Sequence, residues 1–345
     1  MNIHKTTLST AIAALLSVGM MGQASAYTGA GASIEYDDFL ISFNQDNTIT
    51  GFDFTVGASA TLNGDNTGSN GADQTCGGLP GPGGISNTCS NGTPTLDMPL
   101  QVAPGSTTTH TNNDFELDGP GVGTTFSYGD SAIISSELVF TDPENRSATN
   151  AGLIAETELN ETGSGSADSK IISNTGFTVT FLAGDTGAIT IEFVADPSAY
   201  AQSDNPDSVF VSASAGLKAS IRVSGDDGSA TWTPDGDGTN GCGTTEQGVI
   251  SCTGETDSVS LNAPVTIGPG DVDPADDLYS LDHTFYAFAI TFTGLTSGEQ
   301  YSIVLDTQVQ TSVTKIEAAV PEPEILALMG LGLAGLGVAR RRRKA

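Results

Sequence analysis

Apolar and polar side chains alternate along much of the chain with a period of two residues. The seven clearest runs are Phe39, Ile41 and Phe43; Phe52, Phe54 and Val56; Phe177, Val179 and Phe181; Ile189, Ile191 and Phe193; Leu217, Ile221 and Val223; Tyr286, Phe288, Ile290 and Phe292; and Tyr301, Ile303 and Leu305. Because successive side chains of a strand point to opposite faces of its sheet, each run predicts a strand with one buried and one solvated face. Clusters such as Asn63–Asn66 and Gly225–Gly228 separate the runs and predict turns. The sequence therefore predicts an all-β fold, an antiparallel β-sandwich of jelly-roll type.

The first 26 residues have the three-part order of an export signal. Lys5 is followed by an uncharged stretch from Leu8 to Met21, and small residues stand at Ala24 and Ala26. This order is typical of a signal peptide that enters the Sec export machinery and is removed by signal peptidase. We therefore expect residues 1–26 to be a signal peptide and Tyr27 to begin the exported protein.

The chain ends in an apolar stretch, Ile325–Ala339, followed by a cluster of positive charge. The cluster consists of Arg340, Arg341, Arg342 and Arg343. The 15 apolar residues measure about 22 Å as a helix, which is short of the roughly 30 Å hydrocarbon core of a bilayer. Arginine side chains can reach outward to the headgroups, and such clusters stay on the cytoplasmic side. The ending predicts a short C-terminal transmembrane helix in the inner membrane, with the rest of the chain outside.

Pro321, Glu322 and Pro323 stand just before this apolar stretch. The order of Pro-Glu-Pro, short Leu/Gly/Ala helix and arginine cluster resembles the PEP-CTERM sorting signal of exopolysaccharide-producing Gram-negative bacteria. The resemblance implies that residues 319–345 are the signal, with Pro321–Pro323 as its recognition tripeptide and Arg340–Arg343 as its stop-transfer cluster. An exosortase, a membrane transpeptidase, would remove the tail and leave the protein at the cell surface or in the extracellular matrix. An ordinary tail anchor that stays in place is the alternative.

The chain has a formal net charge of −30, and most of its 11 basic residues lie in the two ends. Between Tyr27 and Val320 the basic residues are Arg146, Lys170, Lys218, Arg222 and Lys315. A surface this acidic repels phosphate backbones and anionic headgroups, which argues against nucleic-acid partners and peripheral membrane binding. It attracts cations, and it also keeps a protein soluble at raised salt.

Two stretches of the chain resemble each other, Val56–Leu62 and Val211–Leu217. Each is followed by a turn-rich region, a pair of cysteines and a short apolar segment that ends in Pro-Gly. Loop insertions in a duplicated β-unit would keep this order while the spacing drifts, and chance similarity is the alternative. We expect two β-domains, residues 27–163 and 164–318, joined at the flexible composition of Glu161–Ser166.

Four cysteines in an exported chain suggest disulfides. Three pairings are formally available, and local pairing of Cys76 with Cys89 and of Cys242 with Cys252 is the expected one. Each bond would stabilise a glycine-rich loop by about 3 kcal/mol. Zinc is not expected, because neither pair has the Cys-x-x-Cys spacing.

Calcium is the one cofactor that the sequence suggests. Asp235, Asp237 and Asn240 offer oxygen ligands at nearby positions of an acidic loop, and hard cations prefer six to eight oxygens. The loop has no terminal bidentate Glu, so an acidic turn without a metal is the other interpretation, and no cofactor is the simpler expectation.

The histidines beyond the first 26 residues are His110 and His283. Thr109-His110-Thr111-Asn112 is similar to the motif that names the THxN family of PEP-CTERM proteins. No nucleophile, metalloprotease, P-loop or dinucleotide motif is found, so no catalytic residue is predicted. The leading hypothesis is a structural or adhesive matrix protein associated with extracellular polysaccharide. A calcium-dependent carbohydrate-binding module and a secreted glycan hydrolase are the alternatives.

Overall fold

The computed structural model describes residues 27–44, 46–67, 74–78, 80–81, 84–85, 88–89, 96–133, 151–180, 186–204, 210–238, 242–244, 248–268 and 284–316. Most of these residues lie in strands, and none of them lies in a helix. In chain order the strands are β1 (Thr28–Phe43), β2 (Asp46–Leu62), β3 (Asp65–Asn66), β4 (Gln74–Gly78), β5 (Pro80–Gly81), β6 (Gly84–Ile85), β7 (Thr88–Cys89), β8 (Leu96–Val102), β9 (Phe126–Ile133), β10 (Ala151–Leu159), β11 (Gly163–Thr180), β12 (Gly187–Ser203), β13 (Phe210–Gly225), β14 (Gly228–Trp232), β15 (Cys242–Thr244), β16 (Ser251–Thr256), β17 (Pro264–Ile267), β18 (Tyr286–Leu295) and β19 (Gln300–Ile316). Residues Tyr27–Ile316 make up one compact unit.

Most strands belong to two antiparallel sheets. The first sheet has seven strands in the order β16-β18-β12-β1-β10-β9-β8. The second has the order β15-β14-β13-β19-β11-β2-β4-β7, with β17 beside β13 and β3 beside β2. The short strands β5 and β6 pair with each other. The prediction of an all-β fold with antiparallel, sandwich-like sheets is confirmed, and the sandwich is open; the jelly-roll topology stays a prediction.

The core lies between the two sheets, where apolar side chains from alternate strand positions meet. Phe193 of β12 lies near its centre: its ring stacks on Phe288 at a centroid distance of 5.0 Å and on Phe39 at 5.5 Å. The ring of Tyr36 meets Phe193 edge-on at 5.5 Å, and Trp232 of the second sheet lies 6.1 Å from it. Each such ring pair contributes about 0.5–1.5 kcal/mol beyond its buried area.

The runs of alternating residues lie in strands, as predicted. They fall in β1, β2, β11, β12, β13, β18 and β19, except that Phe181 lies outside the described residues. In β1 the alternation is interrupted by a β-bulge between Asp37 and Leu40, with Asp38 at a φ of 53°. Because the bulge adds a residue, Phe39 and Leu40 are both buried.

Part of the interior is polar, and hydroxyl groups join the two sheets there. Ser131 of β9 donates a hydrogen bond of 3.0 Å to the carbonyl oxygen of Gly57, and Ser169 of β11 donates one of 2.6 Å to that of Ile154. A Cβ atom on Gly129 would lie 2.9 Å from a backbone oxygen of the facing sheet. The sheets therefore approach closely here, and small side chains are required on both of them.

The two sheets have similar strand orders when each is followed from its centre to its edges. In the first sheet β1 and β12 are central, flanked by β10 and β18; in the second, β11 and β19 are central, flanked by β2 and β13. Strands from both sides of residue 163 thus pair with one another. Gly163 begins β11, where it pairs with Lys315. The division into two domains at this residue stays a prediction.

The predicted signal peptide and C-terminal transmembrane helix both lie outside the described residues. Within the part of the chain that the structure describes, no helix is long and apolar enough to cross a membrane.

Candidate functional site

A long segment, residues 103–125, connects β8 to β9 and covers the outer face of β9 and β10 in the first sheet; we call it the strap. Phe115 of the strap packs with Phe126, Tyr128, Ala132 and Ile154 in a second apolar cluster, separate from the main core. Both faces of β9 and β10 are therefore buried. An antiparallel strand with one solvated face would show alternating burial, so the strap removes the solvated face of these two strands.

The side chain of Glu156 is the central anchor of the strap. It is fully buried on β10 and accepts hydrogen bonds of 3.0 Å from the backbone N–H groups of Asp118 and Gly119. The hydroxyls of Tyr128 and Tyr200 donate to the same carboxyl group. Burial raises the pKa of Glu156 to about 7, while the hydrogen bonds from the two tyrosines act in the opposite direction.

Glu158, two residues further along β10, holds the next turn of the strap. Its carboxylate accepts backbone hydrogen bonds from Gly121, Val122 and Gly123 at 2.8, 3.2 and 3.1 Å. Gly121 and Gly123 have φ values of 86° and 84°, a region that glycine adopts without strain. This glycine-rich stretch therefore wraps its N–H groups around one buried carboxylate.

Asp130 of β9 anchors the start of the strap. Its Oδ2 atom accepts a hydrogen bond of 2.7 Å from the backbone N–H of Asn113, and its Oδ1 atom is buried without a hydrogen-bond partner. Burial raises the pKa of Asp130 to about 7, and the nearby charge of Asp97 adds to the rise. Asn112 ties the same region to β8, because its Oδ1 atom accepts a bond of 2.6 Å from the N–H of Leu100 and its amide donates to Asp97.

Two glycines let aromatic rings lie directly on the sheet. A Cβ atom on Gly31 of β1 would lie 2.4 Å from the ring of Tyr200, and one on Gly152 of β10 would lie 2.2 Å from the ring of Phe115. Real Cβ atoms do not approach other atoms so closely. Glycine is therefore needed at position 152 for Phe115 of the strap to pack on β10, and at position 31 for the ring of Tyr200 to lie on β1.

His110 of the Thr-His-Thr-Asn motif lies in the strap and is a packing residue in this arrangement. Its Nε2 atom donates a hydrogen bond of 2.7 Å to the backbone oxygen of Asp114. Its ring stacks on Tyr128 at a centroid distance of 4.2 Å, and its Nδ1 atom lies 3.7 Å from the carboxylate of Asp118. The side chain is only 1% exposed, so it is shielded from any large substrate. His283 lies outside the described residues.

Chemically, the strap region is a buried polar network in which Oδ1 of Asp130 is the exception without a partner among the anchoring carboxyl oxygens. The oxygens of Glu156 and Glu158 are directed at backbone N–H groups and buried hydroxyls, which hold the loop. Period-two alternation along β10 would place both side chains in solvent, so sequence reasoning missed them. The glycine-rich run Gly119–Gly123, whose positive φ values let successive N–H groups turn toward one point, is the signal that could have revealed an anion beneath it.

A second polar cluster surrounds Asp257, which follows β16. Asp257 is buried and accepts three backbone hydrogen bonds of 2.9 Å from Asp235, Gly236 and Gly238. Asp235, Glu255 and Asp257 each direct one carboxylate oxygen into a space where all three atoms lie within 4.8 Å of one another. Three clustered carboxylates suit a hard cation, although acidic groups of this kind also occur without one.

The predicted calcium ligands are divided by the structure. Asp235 belongs to the cluster, and the backbone N–H of Asp237 donates a hydrogen bond of 3.2 Å to Asp235. Asn240 lies outside the described residues. Glu255, whose carboxylate also accepts a hydrogen bond from the indole of Trp232, comes from β16 and has no sequence proximity to the loop.

Cys242 of β15 and Cys252 of β16 form a disulfide with a Cα–Cα distance of 5.8 Å. Because β15 belongs to the second sheet and β16 to the first, the bond connects the two sheets. The backbones of Cys76 and Cys89 are direct partners across β4 and β7. A bond between their side chains stays a prediction.

The predicted sorting residues, Pro321–Pro323 and Arg340–Arg343, lie outside the described residues, and here comparison with protein families is informative. A model of the PEP-CTERM protein-sorting motif matches residues 319–344. The chain carries a PEP-CTERM signal. The match begins three residues after the last described residue, Ile316.

The PEP-CTERM signal implies that the protein is exported and sorted to the bacterial cell surface, with an exosortase as its processing partner. The match covers the tail alone and assigns no activity to the β-sandwich. The comparison with curated proteins found no significant match to the chain.

Proposed function

We propose that the protein is a structural or adhesive component of the cell surface or extracellular matrix of a Gram-negative bacterium, associated with exopolysaccharide. The observation that carries the proposal is the combination of a PEP-CTERM signal with a body whose conspicuous carboxylates hold its own backbone. Such a body is suited to persist outside the cell. Membership of the THxN family is part of the same proposal, supported by the Thr109-His110-Thr111-Asn112 motif.

The export route belongs to this proposal too. Residues 1–26 act as a signal peptide for the Sec machinery and signal peptidase, and Ile325–Ala339 crosses the inner membrane transiently. The boundaries of the compact unit support the first step, since that unit begins at Tyr27. The backbone nitrogen of Tyr27 lies 2.5 Å from the Oδ1 atom of Asp204. Cleavage before Tyr27 would place a new ammonium group beside this carboxylate.

The test is cell fractionation in strains with and without the exosortase, combined with mass spectrometry of both chain ends. With the enzyme, the protein is expected outside the inner membrane and associated with polysaccharide, beginning at Tyr27 and lacking the arginine cluster. Without the enzyme, the intact tail should keep it in the inner membrane. Recovery of the full chain from cytoplasm, with Met1 still attached, would refute the proposal.

A calcium-dependent carbohydrate-binding module is the second candidate. Its support is the group of three carboxylates from Asp235, Glu255 and Asp257. Calcium should then raise the melting temperature, and the increase should be smaller for Asp235→Asn, which removes the most exposed ligand. An unchanged melting temperature with calcium and with a chelator would exclude this candidate.

A secreted glycan hydrolase is less favoured. Glu156 and Glu158 form the most prominent carboxyl pair, but both are buried beneath the strap. A screen of the purified protein for glycan turnover tests this alternative directly.

We also infer that the body consists of two repeated β-units. The support is the strand order, in which β1, β2, β10 and β11 occupy places like those of β12, β13, β18 and β19. The hairpins after β2 and β13 are both two residues long, because Leu62 pairs with Asp65 and Gly225 with Gly228. On this interpretation the junction would lie between β11 and β12, later in the chain than residue 163. Leu62 would then correspond to Gly225, and not to Leu217, with which the sequence similarity aligns it.

A further inference from the structure

A row of hydroxyl groups crosses the outer face of the second sheet. Residues on five neighbouring strands share one register there: Thr61, Ser166, Ser312, Ser214 and Thr266. Ala60, Ala167, Thr311, Val313 and Ala215 stand next to them in sequence and are buried, so the row lies on the side away from the core. Strands lie about 4.8 Å apart, so five of them carry the row for roughly 19 Å. We call it the hydroxyl row.

Three members of the hydroxyl row, Ser166, Ser312 and Ser214, line one side of a groove of about 470 Å³. The next register across the same strands supplies Ser59, Asp168, Gln310, Gly216 and Pro264. Residues of both registers line the groove. Gly216 and Pro264 present no polar side chain, while Gln308 donates a hydrogen bond to Asp168 and so fixes the direction of this carboxylate. The volume is within the range of about 300–1,000 Å³ that small-molecule sites occupy.

Charge at the groove is balanced, although the chain as a whole has a net charge of −30. Lys170 and Lys218 lie in one register beside the groove, Asp168 lies within it and Asp306 in the register beyond. Among the described residues the remaining basic side chains are Arg222, on the same face, and Lys315, which is buried. The accessible basic side chains of the described residues are therefore concentrated on this one face.

We propose that the groove binds a neutral glycan chain laid across the strands; the inference rests on the proposed association with polysaccharide and gives it a site. Hydroxyl groups both donate and accept hydrogen bonds, so a row of serine and threonine side chains matches the hydroxyls of successive sugar rings. The amide of Gln310 adds a donor, and the carboxylate of Asp168, oriented by Gln308, adds acceptors. A polymer crossing five strands meets a similar group at each strand.

Balanced charge favours a neutral occupant over the other polymers that a cell surface offers. A polyuronate would be attracted by Lys170 and Lys218 and repelled by Asp168 and Asp306, so the groove itself offers it no net gain in charge, and it would be repelled by the strongly acidic remainder of the protein. A second copy of this chain would also be repelled, because it would bring another strongly acidic protein against this face. A neutral glycan meets neither penalty, and its binding should depend little on salt.

The test is calorimetric titration of the full chain in mild detergent with neutral glucan, mannan and galactan oligosaccharides and with a polyuronate. Two triple variants are matched: Ser166, Ser214 and Ser312 are all changed to Val in one and to Thr in the other. Val and Thr have the same branching and similar size, so only the hydroxyls distinguish the variants. A double variant, Thr190→Val with Thr291→Val, is the control for a general loss of surface hydroxyls. These two threonines form a hydroxyl pair on the outer face of the first sheet.

At least one neutral oligosaccharide should bind the wild-type chain, with similar affinity at low and high salt. The valine variant should bind at least about tenfold more weakly, since it loses several hydrogen bonds, and the threonine variant and first-sheet control should bind like wild type. Equal binding by all variants would overturn the groove as the site while leaving the polysaccharide association intact. Salt-sensitive binding of the polyuronate alone, self-association through this face, or no binding at all would also overturn it. If the protein also fails to fractionate with polysaccharide in cells, the proposed function fails with it.

Discussion

Changing Glu156 to Gln should remove a pH dependence that burial imposes on the sandwich. In the folded protein burial raises the pKa of this carboxyl group to about 7, against an ordinary value of 4.5 in an unfolded chain. Between these two pH values the unfolded chain releases a proton that the folded protein keeps, so rising pH favours unfolding. The stabilisation is complete below about pH 4.5 and is lost as the pH rises to about 7. The gap between the two pKa values corresponds to about 3 kcal/mol of unfolding free energy.

The substitution also has a cost that does not vary with pH. Glutamine can accept hydrogen bonds at one position only, so either Asp118 or Gly119 loses the acceptor of its backbone N–H, at about 1–3 kcal/mol. The informative quantity is therefore the difference in unfolding free energy between wild type and variant, followed across the pH range. This difference should fall by about 3 kcal/mol between about pH 4 and about pH 8.

Urea unfolding at constant ionic strength, followed by tryptophan fluorescence, measures this difference. Trp232 is the single tryptophan and is fully buried, so its emission should report the opening of the core. Glu192→Gln is the matched control, because Glu192 is exposed on β12. This exposed control should not reproduce the fall expected for Glu156→Gln. A difference for Glu156→Gln that is flat with pH would refute the idea that burial keeps this group protonated in the folded state.

Three further outcomes are expected. Gly152→Ala should lower stability by about 1–3 kcal/mol, since the new Cβ would lie 2.2 Å from the ring of Phe115; thermal melting and strap proteolysis measure this. Cys252→Ser should lower the unfolding free energy by about 3 kcal/mol, because it opens a loop with a sequence separation of 10, and reduction should have no further effect at this bond. Asp204→Asn should destabilise the form that begins at Tyr27 by less than about 1 kcal/mol and leave the precursor unchanged, as melting of both forms would show.

The strands could be predicted because their pattern is local. Runs such as Ile189, Ile191 and Phe193 need only a period of two to place one face inward, and the structure buries all three. The pairing of these strands is not local. β1 pairs with both β10 and β12, which lie more than a hundred residues away, and no local pattern contains that partnership.

The polar sites were hidden for a related reason. Glu156 and Glu158 alternate with apolar neighbours as solvated residues do, and only the return of the strap over the sheet buries them. Asp235 was recognised in an acidic loop, but its neighbours Glu255 and Asp257 are supplied by a different strand and the segment after it. The PEP-CTERM signal could be recognised directly, because a sorting signal is a linear feature.

The position of β19 bears on how the protein would withstand tension. This last strand lies between β11 and β13 and is paired with both of them from Tyr301 to Lys315. A force applied to the chain just beyond Ile316 would run along the strand, perpendicular to the hydrogen bonds on both of its sides. Those bonds would be loaded together in shear and could not be opened one at a time. If the protein is held or pulled by its C-terminal end, as by flow or by a moving cell, the force is directed along β19. The protein should therefore resist mechanical unfolding best in that direction.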